Sequence, residues 1–167
     1  ATRAPSGGNR QGWRWVVVTE PEKKKRIQAW YHEGWSRMTA SGYGAGANLP
    51  ADEKASNERV MKSATYLAEH MHEAPVLIFA CSLTGNGDIT SGSSIYPAVQ
   101  NLMLAARALG LGTALTTVHR GYQKQIRELL GIPESVETAA LIPLGWPKGK
   151  FGSGFRKPVE DVTYWES

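Results

Sequence analysis

The sequence predicts a single domain of mixed α and β structure, in which helices and strands alternate around one hydrophobic core. Its length of 167 residues is enough for one such core and short for two. Apolar residues make up 41% of the chain and charged residues 20%, as in most globular domains. Neither an internal repeat nor a linker interrupts the alternation, so we expect residues 1–167 to form one domain.

The first half of the chain contains one predicted strand and two predicted helices. Residues 13–19 are rich in aromatic and β-branched side chains, which favour a strand. A helix is expected from residue 21, a proline, to about residue 37, because apolar residues recur there at helical spacing. A second helix is expected at residues 51–72. Its predicted core face consists of Val60, Ala64, Leu67 and Met71. The Gly-, Ser- and Ala-rich connection at residues 34–48 is typical of a pocket edge or lid.

The second half continues the alternation. Residues 76–81 predict a short buried strand, and residues 88–94 a polar turn. Residues 95–109 carry one charge in fifteen positions, which predicts a helix buried on all sides at the centre of the molecule. Two glycines just beyond it are suited to a helix C-terminus. The remaining expected elements are a strand at 113–118, a helix at 122–130, a strand at 136–144 and an extended tail at 158–165.

Composition excludes some classes of protein. The longest apolar run, residues 74–81, is far short of the roughly 20 residues that a membrane span needs. No secretory signal opens the chain. Cys81 is the only cysteine and cannot form an internal disulfide, and its apolar neighbours Phe79 and Ala80 predict a buried, unreactive thiol. These features predict a cytoplasmic protein with no membrane partner.

Three polar, glycine-containing clusters lie beside apolar elements, at residues 5–11, 84–94 and 143–157. In the first, two glycines allow the backbone to approach a flat ligand, and Ser, Asn and Gln side chains supply hydrogen bonds. Such a set suits the edge of a flavin, although an ordinary loop before a strand has the same composition. In the third cluster, Arg156 and Lys157 follow flexible glycines and suit either a phosphate or an exposed basic turn.

Polar residues elsewhere give weaker indications. Gln100 and Asn101 interrupt the apolar central helix; buried there, the amides would bond either a cofactor or a neighbouring strand. His70 and His72 do not face one another on a helix, so we expect no metal site, and His119 is isolated in sequence. No Walker or Rossmann motif, carboxylate pair or Ser-His-Asp arrangement is present.

Several segments in register carry a resemblance to a known family. They are residues 3–11 running into the strand at 13–18, residues 96–112, the segment Pro143-Leu144-Gly145-Trp146-Pro147, and Arg156-Lys157-Pro158. In order and spacing they resemble the nitroreductase family of FMN enzymes over nearly the whole chain. The resemblance implies an α+β fold with a mixed β-sheet flanked by helices. It also implies an intertwined homodimer with FMN at the interface.

The resemblance further implies an NAD(P)H-dependent oxidoreductase with a ping-pong cycle, in which FMN is reduced and a nitroaromatic, quinone or similar small molecule is then reduced. The flavin carries the chemistry, so no catalytic side chain and no metal is expected. By matching position, the flavin-binding residues would be Pro5, Ser6, Gly7, Asn9, Gln100, Asn101, Leu115, Thr116, Arg156 and Lys157. The sequence favours neither NADH nor NADPH.

Two departures from the family pattern affect these expectations. The Arg-rich segment that usually precedes the Pro-Ser block is not in this sequence, so we expect a chain truncated at its N-terminus. Gly12 stands where the family commonly has Pro. Two alternative activities belong to enzymes of the same fold, namely reductive dehalogenation and breakdown of the flavin. Residues 33–57 would cover the substrate side and would distinguish between these activities. A third alternative is a basic nucleic-acid binder, which six tryptophans and a net charge of +4 would suit. Bases stack on exposed aromatic side chains, whereas four of the tryptophans fall at positions expected to be buried. We therefore expect no nucleic-acid partner.

Overall fold

The sheet is the centre of the fold. The computed structural model describes residues 1–46, 49–83, 89–149, 151–152, 154 and 156–166, and the predicted polar cluster at 84–94 therefore lies partly outside the described residues. Within them, four strands form one sheet in the order β1-β2-β4-β3. The strands are β1 at Trp13–Val18, β2 at Val76–Ser82, β3 at Gly112–Thr113 and β4 at Glu137–Gly145.

Four α-helices connect and cover these strands in the described part of the chain. They are α1 at Pro21–Ala40, α2 at Ala51–His70, α3 at Ile89–Ala108 and α4 at Gln123–Leu130. Short 3-10 turns lie at Gly7–Asn9, Met71–Glu73, Val118–Tyr122 and Val159–Val162. No helix among the described residues is long and apolar enough to span a bilayer.

Strand β2 pairs with β1 on one side and with β4 on the other, both antiparallel. All the strand pairs in the described residues are antiparallel, which differs from the mixed sheet expected at the outset. Almost the whole of β2 is buried because both faces of the sheet are covered. The α+β class expected from the sequence is confirmed.

The two faces of the sheet carry separate hydrophobic clusters. Leu77, Phe79 and Cys81 point to the face covered by α1, α2 and α4. Ile78 and Ala80 point to the face covered by α3. This alternation follows from the two-residue repeat of a strand. The predicted buried thiol is confirmed, since Cys81 is 1% exposed and burial raises its pKa to about 11.

The expected central helix differs from the prediction in two respects. Helix α3 begins at Ile89, so residues 89–94 are its first turns and not a separate polar turn. It is also buried along one stripe only, which includes Ile95 and Val99, while Gln100 is exposed and Leu104 is 58% exposed. The reason is geometric: a helix that lies on one face of a sheet covers that face with one side.

Smaller corrections concern the edge of the sheet and helix α2. The strand expected at 113–118 is reduced to β3 plus an isolated bridge between Thr116 and Leu141, after which the chain turns into the 3-10 segment. In α2, Val60 is 61% exposed, and Met61 packs on the core in its place. Two of the four tryptophans expected to be buried, those at 15 and 30, are only half-buried.

Candidate functional site

The loop at residues 5–11 leads directly into β1 and is held in an unusual backbone conformation. Asn9 and Gln11 have φ angles of 53° and 51°, which non-glycine residues rarely adopt. The Ser6 hydroxyl accepts a hydrogen bond from the Gln11 N–H at 3.0 Å. Strained residues of this kind persist only where the surrounding structure fixes them, and they are frequent at ligand-binding sites.

Helix α3 anchors the same loop through a residue that the sequence did not single out. The Gly7 N–H donates to the Ser94 hydroxyl at 3.1 Å. Ser94 therefore belongs with Ser6, Gly7 and Asn9 as a small cluster of polar groups at the β1 edge of the sheet. Because other serines surround Ser94 in the first turns of α3, the sequence contains no signal that distinguishes it.

The two amides on α3 lie apart from this cluster. Gln100 is exposed and Asn101 is half-buried, so the prediction of two buried amides is wrong for Gln100. Neither side chain hydrogen-bonds to another described residue. Both amides therefore have unused hydrogen-bonding groups, and that of Gln100 lies on the exposed side of the helix.

An open groove of about 1520 Å³ lies between α1, α2 and the β3 edge of the sheet. Large ligands such as cofactors bind in concave, mostly apolar sites of this kind. Its lining includes Leu115 and Thr116 and, within the described residues, none of the other eight predicted flavin contacts. The apolar part of the lining includes Trp35, Met38, Tyr43, Met61 and Leu67.

The segment after α1, which we expected to cover a substrate, forms one wall of this groove. The edge of the Tyr43 ring contacts Trp35, with ring centroids 5.9 Å apart. The Asn57 side-chain amide donates to the Gly44 carbonyl at 2.9 Å. The indole N–H of Trp35 donates to Thr65 at 3.1 Å. These contacts hold the wall against α2.

Thr116 is tied into the fold at the opposite wall. Its hydroxyl lies 2.9 Å from the Tyr31 hydroxyl and accepts a longer hydrogen bond, 3.4 Å, from the Val118 N–H. Its backbone exchanges two hydrogen bonds with Leu141, at 3.0 and 2.9 Å. Tyr31 is buried, and burial raises its pKa. The Thr116 hydroxyl is therefore engaged in hydrogen bonds within the fold, whereas its neighbours Leu115 and Thr117 are exposed at the groove.

His119 follows in the 3-10 turn and is fully buried, so it does not line a pocket. Its Nε2 donates to the Thr138 carbonyl at 3.0 Å, and its Nδ1 has no partner among the described residues. Burial lowers its pKa to about 4, and the positive charge of Arg120 acts in the same direction. His119 is therefore a neutral core residue at physiological pH.

The predicted phosphate-binding residues lie in the C-terminal segment, where Arg156 and Lys157 are both exposed. Nearby, the Arg107 guanidinium lies over the Phe151 ring at 4.8 Å, which joins this segment to the end of α3. Among the histidines, His70 bonds Glu73 at 2.8 Å, and the described residues contain no cluster of three or more His, Cys, Asp or Glu side chains that could hold a metal ion.

The sheet order separates the predicted site into parts. The loop at 5–11 precedes β1 at one edge, and Thr116 bonds to β4 beyond the other edge. Strands are spaced about 4.8 Å apart, so three spacings separate these positions by roughly 14 Å. One chain therefore presents two partial sites on opposite edges of its sheet, and does not bring them into one pocket.

Comparison with known proteins decides the family. Residues 1–146 match the model of the Nitroreductase family. The chain belongs to this family. A relative from Archaeoglobus fulgidus named "Putative NADH dehydrogenase/NAD(P)H nitroreductase" is 30% identical over 150 residues, which are 89% of this chain and 68% of the relative. The expected enzyme class, an oxidoreductase of the nitroreductase family, is confirmed.

Solved structures share the fold of this nitroreductase-family chain. Iodotyrosine deiodinase bound to FMN and 3-iodo-L-tyrosine aligns with a TM-score of 0.74 and 22% identity, over 99% of this chain and 82% of that chain. The FMN and NADPH-dependent nitroreductase NfnB from Sphigopyxis sp. strain HMH aligns with a TM-score of 0.69 and 21% identity, over 99% of this chain and 85% of that chain.

Proposed function

We propose that this chain is a single-domain, FMN-dependent oxidoreductase that passes electrons from NAD(P)H to a nitroaromatic, quinone or similar acceptor by a ping-pong cycle. Family membership supports the reaction class. The names of the Archaeoglobus relative and of NfnB support NAD(P)H and FMN. The observation that carries the proposal is the pair of partial sites, a strained polar loop at one sheet edge and an apolar groove at the other.

The chemistry of the residues present fits FMN. When bound, FMN accepts an electron pair from NAD(P)H and passes it on, which no side chain can do. Pro5, Ser6, Gly7 and Asn9 offer a close-approaching backbone and short polar groups to the flat ring. The groove would supply an apolar wall, and Leu115 and Thr116, which belong to its lining, would lie at the edge of the ring. Gln100 and Asn101 supply amides from the outer side of α3.

Arg156 and Lys157 would hold the phosphate. Both are cationic and exposed, and an arginine fork matches two phosphate oxygens. The apolar lining of the groove would shield one side of the bound ring from water, and each hydrogen bond to the ring would then be stronger than in bulk water. In this arrangement the protein binds, orients and shields the cofactor, and acid–base side chains are not required.

A homodimer would unite the two partial sites, with FMN at its interface. Strand β1 is an edge strand, and its apolar residue Val17 is exposed. Most of the described residues from 156 to 166 are exposed, and Tyr164 and Trp165 are about 90% exposed. Leu104 adds apolar surface on the outer side of α3. Large exposed apolar patches mark association surfaces, so we propose that a second copy covers these and completes the flavin site.

The experiment is an anaerobic titration. The purified chain, incubated with FMN and desalted, is expected to retain oxidised-flavin absorbance that bleaches with NADH or NADPH before any acceptor is added. A nitroarene or quinone added afterwards should restore the absorbance, as a ping-pong cycle requires. Sedimentation at several protein concentrations should show a dimer that retains FMN. No retained flavin and no bleaching with either nucleotide would contradict the proposal. Release of iodide from iodotyrosine without nitroarene reduction would indicate dehalogenation in its place.

A further inference from the structure

The three residues at 115–117 offer different groups to the groove. The Thr116 hydroxyl is engaged by Tyr31 and by the Val118 N–H. The Thr117 side chain is exposed and hydrogen-bonds to no other described residue. The Thr117 carbonyl accepts the Arg120 N–H at 2.9 Å, which fixes its backbone. Of the two threonines, Thr117 alone presents a free hydroxyl donor on a fixed backbone.

Helix α1 determines where this backbone lies. Tyr31 and Gly34 are three positions apart and therefore lie on the same face of the helix. A Cβ atom added at Gly34 would stand 3.1 Å from the Val118 Cγ1 and 3.5 Å from the Val118 carbonyl oxygen. The absence of a side chain at Gly34 thus lets the helix approach the turn directly. The Tyr31 hydroxyl provides a polar contact one turn away.

We propose that Tyr31 is a positioning residue, which acts through Thr116 to fix the Thr117 hydroxyl as a donor at the edge of the flavin ring. The inference rests on the proposed function, because it requires FMN in the groove. A donor held at an edge where negative charge develops on reduction stabilises the reduced ring more than the oxidised ring. Correct placement of Thr117 therefore raises the reduction potential of the bound flavin.

The test compares reduction potentials, which a merely structural role would leave unchanged. Thr117→Val removes the hydroxyl and keeps a similar shape. It is expected to lower the ratio of the affinities for reduced and oxidised FMN by about tenfold. This corresponds to a reduction potential of the bound flavin that is lower by about 30 mV, for a two-electron couple. Tyr31→Phe is expected to shift the potential in the same direction by a smaller amount. The double variant should show the shift of Thr117→Val alone, because Tyr31 acts only through that hydroxyl.

Two further variants serve as control and substitute. Tyr96 donates its hydroxyl to the Ala139 carbonyl at 3.2 Å from α3, on the other face of the sheet. Tyr96→Phe removes a comparable hydrogen bond and should leave the potential unchanged. If Tyr31→Phe does not fold, Gly34→Ala replaces it. That substitution presses the turn away without removing a hydroxyl and should shift the potential in the same direction.

The outcomes separate the inference from the proposed function. Wild-type chain that fails to bind FMN contradicts both. Wild-type chain that binds FMN and is reduced by NAD(P)H, with Tyr31→Phe indistinguishable from Tyr96→Phe in potential, overturns the positioning role alone. A Tyr31→Phe shift that adds in full to that of Thr117→Val also overturns it, because the two residues would then act independently.

Discussion

The buried imidazole of His119 makes the stability of the chain depend on pH in a specific interval. His119 is fully buried, donates from Nε2 to Thr138, and has a pKa lowered to about 4, chiefly by burial. An unfolded histidine has a pKa of about 6.5. Between these two values the unfolded chain binds a proton that the folded chain does not. The free energy of unfolding should therefore be fully retained above pH 6.5 and fall as the pH falls toward 4.

The magnitude follows from the two pKa values. Each pKa unit corresponds to about 1.4 kcal/mol, so the whole interval is worth about 3 kcal/mol. Between pH 7 and pH 4.5, the free energy of unfolding should fall by about 2.5 kcal/mol of this amount. His119→Gln keeps an amide donor for the Thr138 carbonyl but does not titrate. At pH 7 the variant should be less stable by about 1–3 kcal/mol, because it loses the ring that packs edge-on against Phe79.

The assay is urea unfolding of the flavin-free chain from pH 4.5 to 7.5 at one protein concentration. The wild type should lose about 2.5 kcal/mol more than His119→Gln between pH 7 and pH 4.5. Other titrating groups contribute equally to both proteins and cancel, for example the Glu73 carboxyl, whose pKa is lowered chiefly by its hydrogen bond to His70. His32→Gln, at an exposed position of α1, is the matched control and should follow the wild type. Equal pH dependence of wild type and His119→Gln would refute the reasoning.

Two further predictions concern the core thiol and a helix end. Cys81 is buried and its pKa is raised to about 11, so the thiol of the native chain should not react with an aromatic disulfide reagent at pH 8. In urea, one equivalent of thiol should react. Rapid reaction of the native chain would contradict the prediction, because it would show that the thiol is accessible. Gly131 ends α4 at a φ of 65° with open space around it. Gly131→Ala should therefore lower the free energy of unfolding, measured in urea, by about 1–2 kcal/mol through backbone strain alone. Gly121→Ala is the control: Gly121 also lies in open space but has no positive φ, so the loss should be smaller.

The regular elements were predictable where local patterns and tertiary packing agree. The apolar run at 76–81 became β2, and Gly131 ended α4 in the left-handed conformation expected of a helix C-terminus. The start of α3 was not predictable in this way. Residues 90–94 are polar and small and have weak helix propensity. They are helical here where contacts support them, such as the bond from Gly7 to Ser94 and that from the Ser93 hydroxyl to the Thr90 carbonyl.

The candidate site was predictable in its segments and less so in its individual residues. The loop at 5–11 stood out by composition, but its contact with Ser94 joins positions 87 residues apart, which no local pattern reveals. Thr116 and Thr117 are identical in type and adjacent in sequence. Which of them faces the interior depends on the bridge to Leu141 and on the Tyr31 hydroxyl, both of which are tertiary contacts.

The apolar character of residues 95–109 exceeds what the fold of one chain buries. The pattern predicts burial on all sides, yet the fold of one chain covers only the stripe that includes Ile95 and Val99. The same chain places the two halves of the proposed flavin site at opposite edges of the sheet. The proposed homodimer would explain both observations, because a second copy on the outer side of α3 would also supply the missing half of each site. Burial inferred from periodicity would then describe the assembly, and the exposed Leu104 would mark the surface where the second chain packs.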